Sequence, residues 1–281
     1  MLDVAAQISF ADFQYVCGLA RRLAAIEMDT GKEYLVQSRL APLVTEAGCR
    51  DFSDFLKRVR AEETGPLAGK VIDALTTNET LFFRDCHPFN ALRKTVIPEM
   101  MDRRKDVRKL SIWSAAASTG QEAYSFCIML KETFPELLSW NLEIIGTDLS
   151  PTALAQARAG RYSKIEINRG LAAPMLIRYF QQNDSRWVLR EDIRKMVTFR
   201  EMNLAESWFG LPVFDLVFIR NVMIYMSLET RRKILRNLRD HLAPDGYLLL
   251  GSSENLLQTD EGYDPVEIDS SLFYKLRHSV I

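Results

Sequence analysis

The sequence predicts an α/β fold with a mainly parallel sheet, preceded by a small all-α unit. Over roughly the first 80 residues, apolar side chains recur at helical spacing, whereas farther on short apolar runs of strand length alternate with amphipathic helical segments. The repeated order of strand, helix and strand requires crossover helices that cover both faces of a parallel sheet. A chain of 281 residues is long enough for two such unequal parts.

The all-α unit shows recognisable helix starts. Ser9 and Asp12 resemble a capping box ahead of the first helix. Pro42 is expected to kink or interrupt the second helix, because proline removes a backbone donor. Three further helices are expected in this unit: Glu33–Ala47, Phe52–Arg60 and Leu67–Leu75. No linker composition marks its end, so the N-terminal helical domain is placed at 1–85 and the α/β domain at 86–281 from pattern alone.

The α/β unit begins with a helix that Pro88 starts and that runs to about Met101. Four apolar runs then have the length of strands: Leu110–Trp113, Leu142–Thr147, Phe214–Ile219 and Tyr247–Leu250. Ser150 caps a short helix that Gly160 closes, and a longer helix is expected over Leu228–Leu242. Ligands of such sheets bind beyond the carboxyl ends of the strands, so the loops there are the place to look for a site.

One segment breaks the alternation of strands and helices. Between Tyr162 and Asn203 it contains a helical patch, Met175–Gln182, and two short strand-like runs, Arg186–Leu189 and Met196–Arg200. We expect an inserted antiparallel β-subdomain over about 163–202. Partner recognition and protection of a sheet edge explain such an insertion equally well.

Composition excludes several classes of function. With 36 basic and 37 acidic residues the net charge is close to zero, which argues against nucleic acid as a partner despite a local basic cluster at 103–109. The four cysteines have neither metal-ligand nor redox spacing, so no metal site is expected. Because the sequence has no signal-peptide pattern and no apolar run long enough to span a bilayer, we expect a cytoplasmic protein without membrane insertion.

The loop after the first predicted strand is the most informative segment. Trp113–Ser125 indicates a strand end, a loop of small residues and a helix that opens at Gly120, and this arrangement offers backbone donors to a negatively charged ligand. The dinucleotide fingerprint needs three glycines in such a loop, and only Gly120 is present. Asp148 ends the next strand, where a carboxylate can accept hydrogen bonds from both hydroxyls of a ribose. A sugar-binding carboxylate without a diphosphate cradle favours S-adenosylmethionine over NAD.

Four blocks of sequence carry a family resemblance: Thr77–Arg84, Ser118–Ser125, Gly146–Ser150 and Arg220–Tyr225. Together they resemble the signature blocks of the CheR chemotaxis receptor methyltransferases, and they occur in the family's order. The resemblance extends from about Phe10 to Leu276. Four blocks in the right order are a far stronger signal than any one of them.

The resemblance implies transfer of a methyl group from S-adenosylmethionine to glutamate side chains on the cytoplasmic helices of bacterial chemoreceptors. The products would be glutamyl methyl esters and S-adenosylhomocysteine. It also implies an N-terminal all-α domain joined to a Rossmann-like methyltransferase sheet with a small antiparallel β-subdomain. By position in the matching blocks, these residues are expected around the cofactor: Asn78, Thr80, Arg84, Glu122, Asp148, Asn203, Leu204, Arg220 and Asn221. Asp148 would bind the ribose, Arg84 the methionine carboxylate and Glu122 the cofactor's positive charge.

Two further residues are assigned to the reaction itself. A glutamate side chain has an ordinary pKa near 4.3 and is already ionised at neutral pH, so no general base is needed and positioning dominates. Tyr225 is expected to orient the acceptor oxygen through one neutral hydrogen bond, and a helix-like turn would place it on the same side as Asn221. Arg103, in the basic cluster, is expected to guide the acidic receptor surface.

The segment Gln181–Arg186 is short and has no glycine, whereas family members that grip a peptide tethered to the receptor terminus have a longer loop with glycine. We therefore expect this protein to need no such tether. Two alternatives remain open: methyl transfer to another protein, a small molecule or a base, and a receptor-interaction module without catalysis. The second is disfavoured by the intact set of Arg84, Glu122 and Asp148.

Overall fold

The computed structural model describes residues 7–257 and 259–277, which form two compact units. The first unit contains the described chain up to Thr77 together with Tyr225–Thr230, and the second contains Asn78–Ile224 and the chain from Arg231 onward. The division at Thr77 lies ahead of the one expected near residue 85. The outer limits of the expected domains, residues 1 and 281, fall outside the described residues.

The described part of the first unit up to Thr77 contains four helices: α1 Phe10–Ala24, α2 Glu33–Glu46, α3 Phe52–Ala61 and α4 Pro66–Leu75. The Ser9 hydroxyl accepts the N–H of Asp12 at 3.1 Å and so starts α1 as predicted. Pro42 lies inside α2, which continues past it to Glu46. The core of the unit consists of the apolar faces of the four helices, with fully buried side chains such as Val16, Leu40, Leu56 and Val71.

The second unit opens with helical structure that runs from His87 to Arg104. It consists of α5 His87–Ala91, a π-helical turn over Leu92–Val96, and α6 Ile97–Arg104. The predicted helix from Pro88 is therefore present. Pro98 lies in the first turn of α6 and cannot donate a backbone hydrogen bond. The π-helical hydrogen bonds therefore lie just before a position where the regular α-helical hydrogen bonds are interrupted in any case.

The described residues contain ten strands: β1 Lys109–Ala115, β2 Asn141–Asp148, β3 Arg161–Ser163, β4 Phe180–Asn183, β5 Arg186–Leu189, β6 Val197–Glu201, β7 Phe214–Ile219, β8 Leu242–Leu250, β9 Tyr263–Ile268 and β10 Ser271–Leu276. Seven of them form one sheet in the order β6-β2-β1-β7-β8-β10-β9. The five strands from β6 to β8 are parallel, and β10 and β9 are antiparallel. This confirms the predicted α/β fold with a mainly parallel sheet.

Six further helices accompany the strands: α7 Gln121–Thr133, α8 Pro151–Ala159, α9 Lys164–Asn168, α10 Ala173–Tyr179, α11 Glu191–Arg194 and α12 Leu228–Arg239. Ser150 caps α8 by accepting the N–H of Ala153, and Gly160 ends it with a left-handed φ of 59°, both as predicted. The core of the unit includes the fully buried rings of Tyr124, Phe126 and Phe218.

The small antiparallel sheet differs in its extent from the expectation. It has the order β3-β5-β4 and therefore ends at Leu189. Met196–Arg200 was expected in it, but Val197–Glu201 forms β6, which pairs in parallel with β2 at the edge of the main sheet. Val197 and Phe199 are buried on that sheet, and their alternation with exposed residues indicates a strand without specifying its partner. The helical patch is also shorter than expected, because Phe180–Asn183 is a strand.

Candidate active site

Most of the predicted cofactor residues lie at the carboxyl edge of the parallel strands. β1, β2, β6 and β7 are parallel neighbours, so the segments that follow them emerge at one edge of the sheet. Six of the expected cofactor residues lie at the ends of these strands, on these segments or in the first turn of the helix that follows: Glu122, Asp148, Asn203, Leu204, Arg220 and Asn221.

Asp148 is the last residue of β2 and joins two of these loops. Its Oδ2 accepts the N–H of Ser118 at 2.7 Å, and its Oδ1 accepts the N–H of Ser150 at 2.8 Å. Asp148 is buried, with 7% of its surface exposed. Hydrogen bonds from backbone donors favour the ionised carboxylate, so Asp148 provides a fixed negative charge at the end of the sheet.

The loop after β1 has the backbone that close approach to a ligand requires. Ala116, Ser118 and Gly120 have left-handed φ values of 57°, 52° and 93°. A Cβ at Gly120 would lie 3.0 Å from the Tyr124 ring, so glycine is required by both φ and space. Helix α7 begins at Gln121, which confirms the predicted helix opening and leaves first-turn N–H groups at this edge.

Tyr162 supports the same loop and was not identified from the sequence. Its hydroxyl donates to the carbonyl of Thr119 at 2.8 Å, and its ring is fully buried. Burial raises the pKa of the Tyr162 hydroxyl well above its usual range, which keeps it a neutral donor. In the sequence Tyr162 is only one apolar position of a short strand, so its partner could be found only from the fold.

The block around Asn78 and Thr80 reaches the Asp148 loops in part. The carbonyl of Asn78 accepts the hydroxyl of Ser118 at 2.8 Å, and its amide donates to Ser150 Oγ at 3.4 Å. Asn78 is thus brought together with the two residues whose N–H groups hold Asp148. Thr80 is half-buried.

Arg220 is a buried residue at the centre of a cluster of charged groups. Its Nη1 lies 2.9 Å from Glu122 Oε2, and its Nη2 lies 2.8 Å from Asp85 Oδ2 and 3.0 Å from the carbonyl of Arg84. Ser114 donates to the second oxygen of Glu122 at 2.8 Å. Only 1% of the Arg220 side chain and 11% of the Glu122 side chain are exposed. Glu122 therefore has a guanidinium partner within the protein, and the three charged groups together carry one net negative charge.

Arg84 itself lies in a turn with an unusual backbone. Its neighbours Phe83, Asp85 and Cys86 have positive φ values of 50°, 66° and 32°. The Arg84 side chain is half-buried, and its Nη1 makes a long contact of 3.5 Å with the carbonyl of Glu79. A guanidinium in this position is suited to bind a carboxylate in a bidentate manner.

Glu254 organises the loop that follows β7, and sequence reasoning missed it. One oxygen accepts the N–H groups of Asn221 at 2.6 Å and Gly251 at 2.9 Å, and the other accepts the N–H of Ile224 at 3.2 Å. Its position shortly after the apolar strand β8, beyond Gly251, Ser252 and Ser253, was the available signal. The expected helix-like turn from Asn221 to Tyr225 is wrong, because Asn221 has a left-handed φ of 58° and only Met223–Tyr225 is helical.

Asn203 and Leu204 follow β6 at the same edge. The N–H of Met202 donates to the carbonyl of Asp148 at 2.9 Å, which connects this segment to the end of β2. Asn203 Oδ1 accepts the N–H of Ala205 at 3.0 Å and shapes the turn, and Leu204 is buried. The segment thus presents a small apolar and amide surface near Asp148.

Arg103, one of the two residues assigned to the reaction, does not lie at this edge of the sheet. Arg103 lies in α6 and pairs with Glu99 at 2.6 Å and with the carbonyl of Asp245 at 3.1 Å, near the amino ends of the parallel strands. The structure therefore places it at the edge opposite Asp148. Tyr225 belongs to the first compact unit, where its carbonyl accepts the N–H of Glu27 at 2.8 Å and its side chain is partly exposed.

The residues of the carboxyl edge fit S-adenosylmethionine. Asp148 ends β2 where a ribose is bound in such sheets. Arg220 Nε and Asn221 Oδ1 are buried without a hydrogen-bond partner among the described residues, and such atoms call for a ligand or water. Within the same residues no group of His, Cys, Asp and Glu is arranged to hold a metal ion, and no helix is both long and apolar enough to cross a membrane.

Comparison with known proteins assigns nearly the whole chain. Residues 11–76 match the family described as CheR methyltransferase, all-alpha domain, and residues 78–272 match CheR methyltransferase, SAM binding domain. The chain is 38% identical to chemotaxis protein methyltransferase 1 of Pseudomonas aeruginosa, covering 95% of this chain and 98% of the relative. It is 37% identical to chemotaxis protein methyltransferase 1 of Vibrio cholerae, covering 96% and 98%. The resemblance drawn from four sequence blocks is confirmed, and the chain belongs to the CheR family of S-adenosylmethionine-dependent methyltransferases.

Proposed function

We propose that this protein methylates glutamate side chains on the cytoplasmic helices of chemoreceptors, forming glutamyl methyl esters, and that it acts in the cytoplasm. The observation that carries the proposal is the buried Asp148 carboxylate, which is fixed between the loop after β1 and the start of α8. This geometry supports a ribose site at the end of the sheet in a chain of the CheR family. S-adenosylmethionine supplies an electrophilic methyl group when bound there.

The remaining cofactor residues have roles that follow from their chemistry. Arg84 binds the methionine carboxylate, because a guanidinium fork matches two carboxylate oxygens. Asn203 and Leu204 border the adenine. Asn78, Thr80 and Asn221 complete the lining, and Arg220 with Glu122 keeps a compensated charge pair beside it.

The protein needs no general base for this reaction. A glutamate acceptor is ionised at neutral pH, since its ordinary pKa is near 4.3. General-base assistance typically contributes about 10²- to 10⁴-fold, whereas fixing two reactants in line is worth roughly 7 to 11 kcal/mol. The task of the site is therefore to orient one carboxylate oxygen without binding the anion too tightly, because a strong ion pair would stabilise the ground state more than the less charged transition state.

Tyr225 is proposed to orient that oxygen through its hydroxyl, a neutral donor with a partly exposed side chain. Replacement of Tyr225 by Phe should leave cofactor affinity nearly unchanged and lower turnover, and unchanged turnover would remove the hydroxyl from the mechanism. Arg103 is proposed only as a long-range guide for acidic receptor segments, because its side chain is paired and lies at the opposite edge of the sheet.

Receptor recognition is proposed to be independent of a C-terminal peptide tether, and no nucleic acid takes part. The turn between β4 and β5 consists of Asp184 and Ser185, and Asp184 supplies the left-handed φ of 53° that such a tight turn needs. The hairpin therefore closes without a longer loop.

The decisive experiment is incubation of the protein with methyl-labelled cofactor and receptor cytoplasmic fragments. Carboxyl esters release labelled methanol in mild alkali, so alkali-labile label is expected on the receptor and alkali-stable label would indicate another acceptor. Fragments in which the acceptor glutamates are replaced by alanine should take up no label. Removal of the receptor's C-terminal peptide should leave the initial rate within about twofold; a much larger loss would contradict tether independence.

A further inference from the structure

The turn that carries Arg84 adopts a backbone that its own residues disfavour. Phe83, Asp85 and Cys86 all have positive φ values. For a bulky residue such as Phe83 this conformation is a genuine outlier, because its Cβ crowds the following carbonyl. Strained backbone persists only where the surrounding structure holds it, and it concentrates at functional sites. The contacts that fix the backbone of this turn therefore determine the position from which the Arg84 side chain extends.

Ser125 provides one of these contacts from inside α7. Its hydroxyl oxygen accepts the N–H of Phe83 at 2.8 Å and donates its own proton to the carbonyl of Gln121 at 2.6 Å. Ser125 is fully buried, so water cannot replace it as the acceptor of that N–H. The hydroxyl thus links the first turns of the helix at the cofactor loop to the residue that precedes Arg84.

Arg220 holds the other side of the turn. Its Nη2 donates to the Arg84 carbonyl and to the Asp85 carboxylate, at 3.0 and 2.8 Å. The turn is therefore fixed at three consecutive residues, one by Ser125 and two by Arg220. Arg220 forms ion pairs with Asp85 and Glu122, so its replacement would leave buried or partly buried charges unpaired. Ser125 makes a single neutral contact with the turn, which can be removed without leaving a charge unpaired.

We propose that Ser125 is a positioning residue that sets Arg84 against the carboxylate of the cofactor's methionine part. The inference rests on the proposed role of Arg84. Loss of the Ser125 hydroxyl leaves the buried N–H of Phe83 without an acceptor and releases the strained turn. The backbone of Arg84 is then no longer held in place, so its side chain is no longer positioned for the carboxylate. The ribose contact of Asp148 is unchanged.

Two ligands separate this role from a general structural one. S-adenosylhomocysteine has the methionine-derived carboxylate, and 5′-methylthioadenosine has the same nucleoside without it. By calorimetry, Ser125→Ala should weaken S-adenosylhomocysteine about tenfold and leave 5′-methylthioadenosine within about twofold. Ser271→Ala is the matched control, because Ser271 is a buried serine whose hydroxyl has no partner among the described residues, and it should change neither affinity.

The outcomes are distinct. Equal weakening of both ligands by Ser125→Ala, or no weakening of either, overturns the inference. Arg84→Ala should show the same selective loss, and addition of Ser125→Ala to it should cause no further loss; an additional loss of S-adenosylhomocysteine affinity also overturns the inference. If Arg84→Ala fails to discriminate between the ligands, the proposed role of Arg84 is itself wrong. Should Ser125→Ala not fold by tryptophan fluorescence, Ser125→Cys, which keeps the size and weakens the acceptor, provides the same comparison.

Discussion

Asp148 and Asp215 are buried aspartates at opposite ends of the parallel strands. Asp148 accepts two backbone N–H groups, and Asp215 accepts the N–H of Ser111 at 2.8 Å and the Nε of Arg104 at 2.9 Å. Both carboxylates stabilise the fold through similar bonds. Only Asp148 lies at the edge where ligands of such sheets bind. Substitutions of the two aspartates can therefore distinguish an effect on stability from an effect on cofactor affinity.

Asp148→Asn should weaken S-adenosylhomocysteine binding by roughly 10- to 100-fold, because each charge-assisted hydrogen bond to the carboxylate contributes about 1.5 to 3 kcal/mol. It should also lower the free energy of unfolding by about 1 to 3 kcal/mol, since the new amide group faces a backbone donor. Calorimetry and urea unfolding measure the two effects. Asp215→Asn is the control: a similar loss of stability with unchanged affinity is expected, and equal loss of affinity in both variants would contradict a ribose role for Asp148.

Among the elements, the loop before α7 depends most on one residue. At Gly120, Ala would have to adopt a φ of 93° with its Cβ 3.0 Å from Tyr124 and 3.1 Å from Ala157. We expect Gly120→Ala to lower the free energy of unfolding by roughly 2 to 3 kcal/mol and to weaken cofactor binding. Gly69→Ala is the matched control, because Gly69 lies inside α4 with nothing within 4 Å of the added Cβ and should gain about 0.5 to 1 kcal/mol. Urea unfolding, followed by circular dichroism, measures the free energy of unfolding of both variants. An equal change in the two variants would contradict backbone strain at Gly120.

A second element prediction concerns the contact of α7 with α10. Glu132 in α7 accepts hydrogen bonds from the Tyr179 hydroxyl and from Arg178, and these two partners lower the pKa of the Glu132 carboxyl. Because the folded pKa is depressed, the stability from this contact is present above the unfolded pKa near 4.5 and is lost as pH falls through the folded value.

Tyr179→Phe should therefore lower the free energy of unfolding by about 1 kcal/mol at pH 7, and the difference from the unaltered protein should shrink as the pH falls below about 4.5. Urea unfolding between pH 3 and 7 measures this difference. A gap that is independent of pH would mean that the ring, and not its bond to Glu132, supplies the stability. Tyr263→Phe serves as the control, because the Tyr263 hydroxyl donates to the backbone carbonyl of Leu235 at 2.7 Å, a group that does not titrate in this range, so its gap should not close as Glu132 is protonated.

Elements with strong local signals were predicted well. The Ser150 cap, the Gly160 end of α8 and the opening of α7 at Gly120 each depend on a residue whose backbone or side chain requires that structure. Pairing between distant strands was not predictable in this way. Val197–Glu201 alternates like any edge strand, so its parallel partner became known only from the fold.

The hairpin of β9 and β10 was missed for a different reason. Its turn residues Asp269 and Ser270 both have left-handed φ values, 45° and 59°. In such two-residue turns, Asn-Gly or Asp-Gly normally supplies these φ values.

The site residues also differ in whether a local sequence signal marks them. Asp148 and Arg84 were proposed from their sequence blocks. The contacts of Ser125, Tyr162 and Glu254 are with backbone groups that are remote in sequence, so they became known only from the fold.

At the scale of the whole molecule, the tryptophans, which serve as fluorescence probes of unfolding, are distributed unevenly between the two units. The four tryptophans, Trp113, Trp140, Trp187 and Trp208, all lie in the second compact unit. Trp113 and Trp208 form an edge-to-face pair with centroids 4.9 Å apart. Tryptophan fluorescence therefore reports on the unfolding of the unit that contains Asp148, while circular dichroism also detects the helices of the first unit.

This distribution allows cofactor binding to be measured through stability. A ligand that binds only the folded state at a hundred times its dissociation constant adds about 2.7 kcal/mol. For a chain of 281 residues, that corresponds to an increase in Tm of about 5 °C. S-adenosylhomocysteine should raise the fluorescence-detected Tm by this amount, and Asp148→Asn, with 10- to 100-fold weaker binding, should remove about half of the increase or more at the same ligand concentration. An equal increase in Asp148→Asn, or an increase seen by circular dichroism without one by fluorescence, would place the ligand outside the site at the carboxyl edge of the sheet.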